Sequence, residues 1–271
     1  MNTLQTILDS VVAISTTGYP IPVSQSFVSM PKSADEFTFG EGLGLISGGW
    51  IYTCAHFQHR WNPLPGEVDI YAAWCVNDDT MPHGFFASYY ASTLDFMMLA
   101  PDGMNVQMSE EDGPTETGLD LICAFQEKHD PGIRPAEIEF PADVGSAKIR
   151  GFFLAADGRS LHRTIFKIWK NSAKIEFYSN DFTKGCAGAP IFTENHQFIG
   201  VATVGTTQPD LNGLNHCLGV RIDQCMPRLL TKHIQWDRLV IQPETDPTPD
   251  PNDPWEQQSA AIARLQNTFL R

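Results

Sequence analysis

The sequence has little positive charge and no long apolar run, and each absence limits what the protein can bind. It contains 18 Lys and Arg residues against 32 Asp and Glu residues, a formal net charge of −14 at pH 7. A broad basic surface for phosphates is therefore not expected, nor is a nucleic-acid partner. No stretch approaches the ~20 apolar residues of a membrane helix, so we expect no membrane association.

The N-terminus and the cysteines also lack familiar patterns. MNTLQTILDSVVAIS has no basic segment and no long apolar run, so it does not resemble a signal peptide. The six cysteines, at positions 54, 75, 123, 186, 217 and 225, form no Cys-x-x-Cys pair and no zinc-like cluster. We expect reduced, mostly buried thiols in a soluble cytoplasmic protein.

What the sequence does contain is a series of short apolar segments. Most are four to nine residues long, rich in Val, Ile, Phe and Tyr, and separated by Gly, Pro, Asn or Asp. Examples are LGLIS (43–47), WIYTCA (50–55), FMMLA (96–100), KIRGFFLA (148–155) and FIGVATVG (198–205). This spacing predicts an all-β sandwich or barrel. Helical periodicity is weak except at the two ends, where TLQTILDSVV predicts a short leading helix.

The composition changes near the C-terminus. Residues 243–254, PETDPTPDPNDP, are acidic and rich in proline, which predicts an extended linker. Asp253 and Pro254 then suit the start of a terminal helix, with Trp255 and Phe269 at helical spacing. This helix either packs on the protein's own body or docks a partner.

The segment TKGCAGAPIF (183–192) has a nucleophile motif without its nucleophile. Many serine and cysteine proteases present the attacking atom in Gly-x-nucleophile-Gly-x-Pro before an apolar strand, but here that position holds Ala187. Flanking glycines let the backbone turn so that N–H groups converge on a developing oxyanion. Gly185 and Gly188 are present, and the oxyanion hole would use the N–H groups of Gly185 and Ala187.

Such a nucleophile needs a base and a group that orients the base. Among eight histidines His56 fits best, because it ends an apolar segment and follows the small residues Cys54 and Ala55. Asp95, in STLDFMMLA directly before an apolar segment, is the candidate carboxylate, although an Asp there is commonly just a turn residue. Each of the three positions adjoins a predicted buried strand, which favours a shared site.

These segments resemble the chymotrypsin/trypsin-like serine proteases over roughly residues 40–225. IYTCAHF resembles the Thr-Ala-Ala-His-Cys segment of that family, TLDFMMLA its Asp-(Leu/Ile)-Ala-Leu-Leu segment, and GCAGAPIF with FIGVATVG its Gly-Asp-Ser-Gly-Gly-Pro block and following strands. The resemblance implies two packed six-stranded β-barrels, over 1–125 and 126–242, followed by the linker and helix of 243–271. It also implies that His56 is the general base, that Asp95 orients it, and that position 187 holds the nucleophile.

The chain departs from that family at several positions. Ala187 cannot attack a carbonyl, so the protein as written should be inert. Cys186 replaces the Asp of zymogen-type members and no propeptide is apparent, so activation by N-terminal cleavage is not expected. Cys186 also stands one residue too early to be the nucleophile itself. Position 57, a cysteine in secreted members, is Phe57.

The resemblance also implies a primary specificity pocket. Asp181, six positions before the nucleophile, would form its floor, and Thr203, Val204 and Gly205 its walls. A carboxylate in a narrow, poorly hydrated slot favours a substrate Arg or Lys, because a buried charge without a partner is costly. The alternative is that Asp181 merely caps a turn. Residues 203–206 would pair with the substrate backbone by β-augmentation.

Three functions stay open on the sequence alone. The first is a serine endopeptidase cleaving after Arg or Lys whose serine was replaced by Ala187, which predicts Ser in the gene. The second is a natural pseudo-protease that binds a peptide or protein, and the third is a structural β-barrel protein. The protease chemistry requires no metal and no organic cofactor. A cytoplasmic Arg/Lys protease would need narrow specificity or an activating protein partner.

Overall fold

The computed structural model describes residues 3–16, 21–22, 42–57, 67–68, 70–77, 83–91, 94–101, 128–206, 209, 213–225 and 236–241. The predicted boundary at 125/126 and the predicted linker and helix of 243–271 lie outside the described residues. The predicted leading helix is present as α1 (Leu4–Asp9), and the Thr3 hydroxyl caps it by accepting from the Thr6 N–H. Within the described ranges, no helix has the length and apolarity that a membrane span requires.

Strands make up most of the described chain. Those before residue 102 are β1 (Val11–Thr16), β2 (Ile21–Pro22), β3 (Gly42–Ser47), β4 (Trp50–Thr53), β5 (Glu67–Val68), β6 (Ile70–Cys75), β7 (His83–Ala91) and β8 (Phe96–Pro101). Those after residue 135 are β9 (Ala136–Glu139), β10 (Ser146–Leu154), β11 (Leu161–Trp169), β12 (Lys174–Tyr178), β13 (Pro190–Thr193), β14 (Phe198–Gly205), β15 (His216–Arg221) and β16 (Asp237–Val240). A short helix, α2 (Ile222–Cys225), follows β15.

The strands form two closed barrels. The first has the order β1-β3-β4-β8-β7-β6 and the second the order β10-β11-β12-β15-β14-β13. Two small sheets accompany them: β9 pairs with β16 in parallel, and β2 pairs with β5 in antiparallel fashion. The predicted all-β fold of two six-stranded barrels is therefore confirmed.

In the first barrel, β3, nearly all of β4 and residues 96–99 of β8 are buried on both faces, which explains their nearly continuous apolar sequences. Side chains alternate between the two faces of a strand. Ile51 and Met97 belong to a core cluster built almost entirely from the first barrel, whereas Tyr52 and Met98 belong to a cluster that continues through the second. The rings of Tyr52 and Phe198 meet edge to face across this boundary, with centroids 5.6 Å apart. The two barrels therefore share an apolar core.

The barrels also touch through their backbones, beside Gly188. The Leu43 N–H of β3 donates to the Ala187 carbonyl at 2.8 Å, and within the second barrel the Gly188 N–H donates to the Ala202 carbonyl at 2.7 Å. Gly188 has φ +79°, and a Cβ there would collide with the Leu43 carbonyl oxygen and with Thr53 Oγ1. Only glycine permits both the conformation and this close approach.

A further connection between the barrels runs through the turn that joins β10 to β11. Arg159 Nε donates to Asn77 Oδ1 at 2.8 Å, and its Nη2 donates to the Val76 carbonyl at 2.9 Å. On the other side of this turn, Ala156 lies so close to Gly185 that a Cβ on the glycine would be 2.9 Å from the alanine Cβ. The turn thus contacts both the first barrel and the segment that carries position 187.

A buried ion pair joins β15 to its surroundings. Arg221 binds Asp223 through two contacts, Nε–Oδ1 at 3.0 Å and Nη2–Oδ2 at 2.6 Å, and the side chains are only 1% and 4% exposed. Arg221 Nη1 donates to the carbonyls of Trp169 and Ser172, and Asp223 accepts from the Ile138 N–H. Both charges are therefore compensated inside the protein.

Replacing Arg221 should test this pair. We expect Arg221→Met to lower the free energy of unfolding by about 3–5 kcal/mol, because it leaves the Asp223 carboxylate buried without its partner. Urea unfolding measures the loss. The control is Arg238→Met, whose pair with Glu139 is 3.3 Å long between side chains 72% and 42% exposed, and which should cost at most about 1 kcal/mol. Equal losses in the two variants would contradict the role assigned to burial.

A second stability test concerns the close approach at Gly188. Gly188→Ala and Gly213→Ala both place a Cβ on a backbone with positive φ, +79° and +76°, but among the described residues, apart from its chain neighbours, none has a heavy atom within 4 Å of the Cβ at 213. We expect Gly188→Ala to cost about 1–3 kcal/mol more than Gly213→Ala, because only Gly188 adds a collision with the other barrel. Thermal unfolding of both variants measures the difference. Similar melting temperatures would show that the collision at Gly188 does not lower the stability of the protein.

Candidate active site

His56 and Asp95 come together because β4 and β8 are neighbours. The two strands are antiparallel with Thr53 opposite Met97. His56 lies in a 3-10 turn (Ala55–Phe57) that follows β4, and Asp95 immediately precedes β8, so both lie at the same end of the barrel. His56 Nδ1 is 2.9 Å from Asp95 Oδ2.

Asp95 is held by the backbone of the turn that carries His56. Its Oδ1 accepts from the Ala55 N–H at 3.0 Å and from the His56 N–H at 2.7 Å. Asp95 also has φ 55°, an unfavourable conformation for a residue with a Cβ, and these hydrogen bonds stabilise it. With Nδ1–H donating to the carboxylate, Nε2 is the ring nitrogen that can accept a proton. The His56 side chain is 40% exposed, so a ligand can reach it.

Position 187 reaches the same region from the second barrel. Ala187 is partly buried and packs against the core cluster that contains Cys54 and Ala55, the two residues before His56. Its carbonyl accepts from the Leu43 N–H. The structure therefore brings His56 and Asp95 together, and it places Ala187 at the junction of the barrels against the core cluster that includes Cys54 and Ala55.

Around position 187, some backbone N–H groups donate to a carbonyl and others have no acceptor among the described residues. The N–H groups of Cys186, Gly188 and Ala189 donate to the carbonyls of Thr183, Ala202 and Cys186. No described residue accepts from the N–H groups of Gly185 or Ala187, the two predicted oxyanion donors. Gly185 has φ +95°, which glycine adopts readily. Within the described part of the chain, neither of the two predicted donors is engaged by a protein acceptor.

Neither nearby thiol replaces the missing hydroxyl. Cys186 is fully buried, and its Sγ lies 3.8 Å from both Thr183 Oγ1 and the Asp181 carbonyl, away from His56. Cys54 Sγ does lie 3.8 Å from His56 Nε2, but Cys54 is also fully buried. Burial, with the nearby Asp95 charge, raises the pKa of the Cys54 thiol well above its usual value. A buried, protonated thiol is a poor nucleophile.

Asp181 has a different environment from the one predicted. Its side chain is 60% exposed, so it does not lie on the floor of a poorly hydrated slot, and that expectation is corrected. Its Oδ2 lies 3.0 Å from His162 Nδ1, and its N–H donates to Ser179 Oγ. The carboxylate thus pairs with an imidazole near the surface, and it does not cap a turn.

The predicted pocket walls differ from one another in what they can contact. Thr203 is buried and its hydroxyl donates to the Leu218 carbonyl at 3.2 Å, so it is engaged within the barrel. Val204 is 51% exposed at the end of β14. Gly205 accommodates Phe182, since a Cβ there would lie 2.7 Å from Phe182 Cδ1.

Sequence reasoning missed two residues of this region, His162 and Phe182. The ring of His162 stacks on Phe153 with centroids 5.4 Å apart, because the two residues are opposite each other in the β10–β11 ladder. Phe182 packs against Phe153 and Phe177, with centroids 5.8 Å and 5.9 Å away. Aromatic and imidazole side chains therefore lie between Asp181 and Gly205. Only the register of the β10–β11 hairpin reveals this grouping.

Comparisons with known proteins find similarity at the level of structure alone. No protein-family model matches the chain, and no curated protein matches it significantly. Similar solved structures include a serine protease of a human pathogenic astrovirus (12% identity, 80% of this chain and 91% of that one, TM-score 0.39) and a catalytically active tobacco etch virus protease with its product (11%, 87% and 83%, 0.44). A third is Deg5 (13%, 82% and 87%, 0.43). Because identities are at most 13% and TM-scores are below 0.5, these similarities do not assign the chain to a family.

Proposed function

We propose that this protein is a serine endopeptidase scaffold of the chymotrypsin type that becomes active when position 187 carries a serine, and is inert with Ala187. The single observation that carries the proposal is the His56–Asp95 pair beside position 187. The Asp95 carboxylate is already fixed by two backbone N–H groups and by the imidazole nitrogen of His56. The pair therefore does not have to reorganise when the substrate reacts. The unused N–H groups of Gly185 and Ala187 supply the second requirement, stabilisation of an oxyanion.

The chemistry follows from these groups. A serine hydroxyl at 187 would attack the substrate carbonyl while His56 Nε2 takes its proton, and Asp95 would stabilise the resulting imidazolium. The carbonyl oxygen becomes an oxyanion that accepts from the N–H groups of residues 185 and 187. Collapse breaks the peptide bond as the imidazolium protonates the leaving amine, and water then hydrolyses the acyl-enzyme by the reverse sequence.

The substrate preference we propose is Arg or Lys at the cleavage site. Asp181 stands six positions before the nucleophile, and the protein's net charge of −14 attracts basic peptides. Because the Asp181 side chain is 60% exposed and already near His162, its contribution is that of a surface ion pair, about 0–1 kcal/mol. The preference should therefore be several-fold at most.

A natural pseudo-protease that binds peptides is the second candidate, favoured by Ala187 itself. The exposed end of β14 at Val204 suits the addition of a peptide strand, and no turnover would follow. Under either function we propose a cytoplasmic protein with barrels over 1–125 and 126–242 and with a protein or peptide substrate. For the protease, restraint by narrow specificity or by an activating protein partner is part of the proposal.

Restoring the hydroxyl tests the principal function. We expect Ala187→Ser to cleave reporter peptides that end in Arg or Lys, and the double variant Ala187→Ser/His56→Ala to lose at least about 10³-fold in kcat/KM. Steady-state kinetics with fluorogenic peptides provides the measurement, and the unchanged protein is the blank. Absence of cleavage with every reporter, or full activity without His56, would reject the protease and leave peptide binding by the Ala187 protein to be measured directly.

The role of Asp181 is tested in the same active background. We expect Asp181→Asn to reduce the preference for Arg and Lys over uncharged residues by about 2- to 5-fold, as an exposed ion pair allows. Competition between basic and neutral reporters in one mixture measures that ratio. Asp143→Asn, which removes the same charge from an exposed position between β9 and β10, is the matched control and should leave the ratio unchanged. An equal effect of both substitutions would assign the preference to overall charge.

A further inference from the structure

The region beside position 187 also contains a set of atoms that can ligate a metal. Among the described residues, Cys54, His56 and Asp95 offer one sulfur, one ring nitrogen and one carboxylate oxygen, all within 4.8 Å of one another. Thiolate and imidazole together are the ligands that Zn²⁺ prefers in proteins. We propose that the protein binds a thiophilic divalent cation, Zn²⁺ above all, between Cys54 Sγ and His56 Nε2.

The separation of the two atoms matches the requirement of the ion. Zn²⁺ lies ~2.3 Å from a thiolate sulfur and ~2.0 Å from an imidazole nitrogen, so tetrahedral coordination spaces the two donors about 3.5 Å apart. Cys54 Sγ and His56 Nε2 are 3.8 Å apart. Both donors can therefore bind one ion with little movement of either side chain.

Asp95 completes the arrangement from outside the coordination sphere. Its Oδ2 lies 2.9 Å from His56 Nδ1, and its Oδ1 accepts two backbone N–H groups. A carboxylate that accepts from the far nitrogen of a ligating histidine fixes the ring and makes it a stronger ligand. Once the cation has displaced the thiol proton, the Cys54 thiolate and the Asp95 carboxylate supply two negative charges beside a doubly charged cation.

Among the described residues, the site is buried on the side of Cys54 and exposed on the side of His56. Cys54 is fully buried, whereas the His56 side chain is 40% exposed and Ala187 contributes only a methyl group nearby. Solvent would occupy the remaining positions of the ion, as in sites with an open coordination sphere. On binding, the thiol proton is released to solvent and a sulfur–metal bond replaces the sulfur–hydrogen bond, with no change in oxidation state.

Occupancy of this site would block the proposed catalysis. His56 Nε2 is the atom that takes the serine proton, and it cannot do so while it ligates a cation. This consequence rests on the proposed protease function, whereas the binding itself does not. Zn²⁺ would then inhibit the Ala187→Ser variant, and the unchanged protein would bind the ion without any turnover.

Cobalt provides a direct probe of the site. We expect the reduced full chain, with Ala187 unchanged, to bind one Co²⁺ and to develop a thiolate-to-cobalt charge-transfer band in the near ultraviolet, which Zn²⁺ then abolishes by displacement. The band should be lost in Cys54→Ala and in His56→Ala, and Asp95→Asn should weaken binding about 10- to 100-fold. Cys225→Ser, which alters a buried thiol in α2, is the matched control and should keep the band unchanged.

The cobalt experiment distinguishes failure of the metal site from failure of the protease. No band at saturating Co²⁺, or a band that persists in either Cys54→Ala or His56→Ala, would overturn the proposed site. His56 is substantially exposed, so His56→Ala should fold even if Cys54→Ala does not, and circular dichroism checks both. Because the probe reads binding in a protein that cannot turn over, an inactive Ala187→Ser variant with a positive cobalt spectrum would reject the protease and keep the metal site.

Discussion

The contact on which the candidate site depends is the passage of the Gly188 backbone against β3. Leu43 is bonded on both sides there: its N–H donates to the Ala187 carbonyl at 2.8 Å, and its carbonyl accepts from the Thr53 hydroxyl at 2.7 Å. A side chain at 188 would separate these groups and, with them, the two barrels. Because residue 187 is the neighbour of that glycine, its position relative to the base is fixed by backbone contact.

The acid and base form a unit that is complete within the first barrel. Asp95 accepts two N–H groups from the very turn that carries His56, and its own backbone adopts a conformation that few non-glycine residues tolerate. Ion pairs between flexible surface side chains lose much of their value to conformational entropy. Here the backbone supplies the order, so the imidazole is oriented before any ligand arrives.

The sequence predicts the barrels and the two residues of this unit better than it predicts the specificity region. Apolar segments of strand length are local features, and so are His56 and Asp95, which lie beside the neighbouring strands β4 and β8. The surroundings of Asp181 depend instead on which residue of β10 faces which residue of β11. His162 and Phe153 are opposite each other in that ladder, a fact of hairpin register that composition does not encode. The exposure of the Asp181 side chain cannot be read from the sequence either, which is why the predicted buried slot around Asp181 was wrong.

The hydrogen bonds of Arg159 have a mechanical consequence. The guanidinium holds the first barrel at residues 76 and 77, while Ala156, three residues earlier, presses on Gly185. If the barrels slid past one another, the turn between β10 and β11 would either lose the hydrogen bonds of Arg159 to the first barrel or displace the peptide groups around Gly185. The lateral alignment of the two barrels and the backbone conformation around Gly185 are thereby coupled.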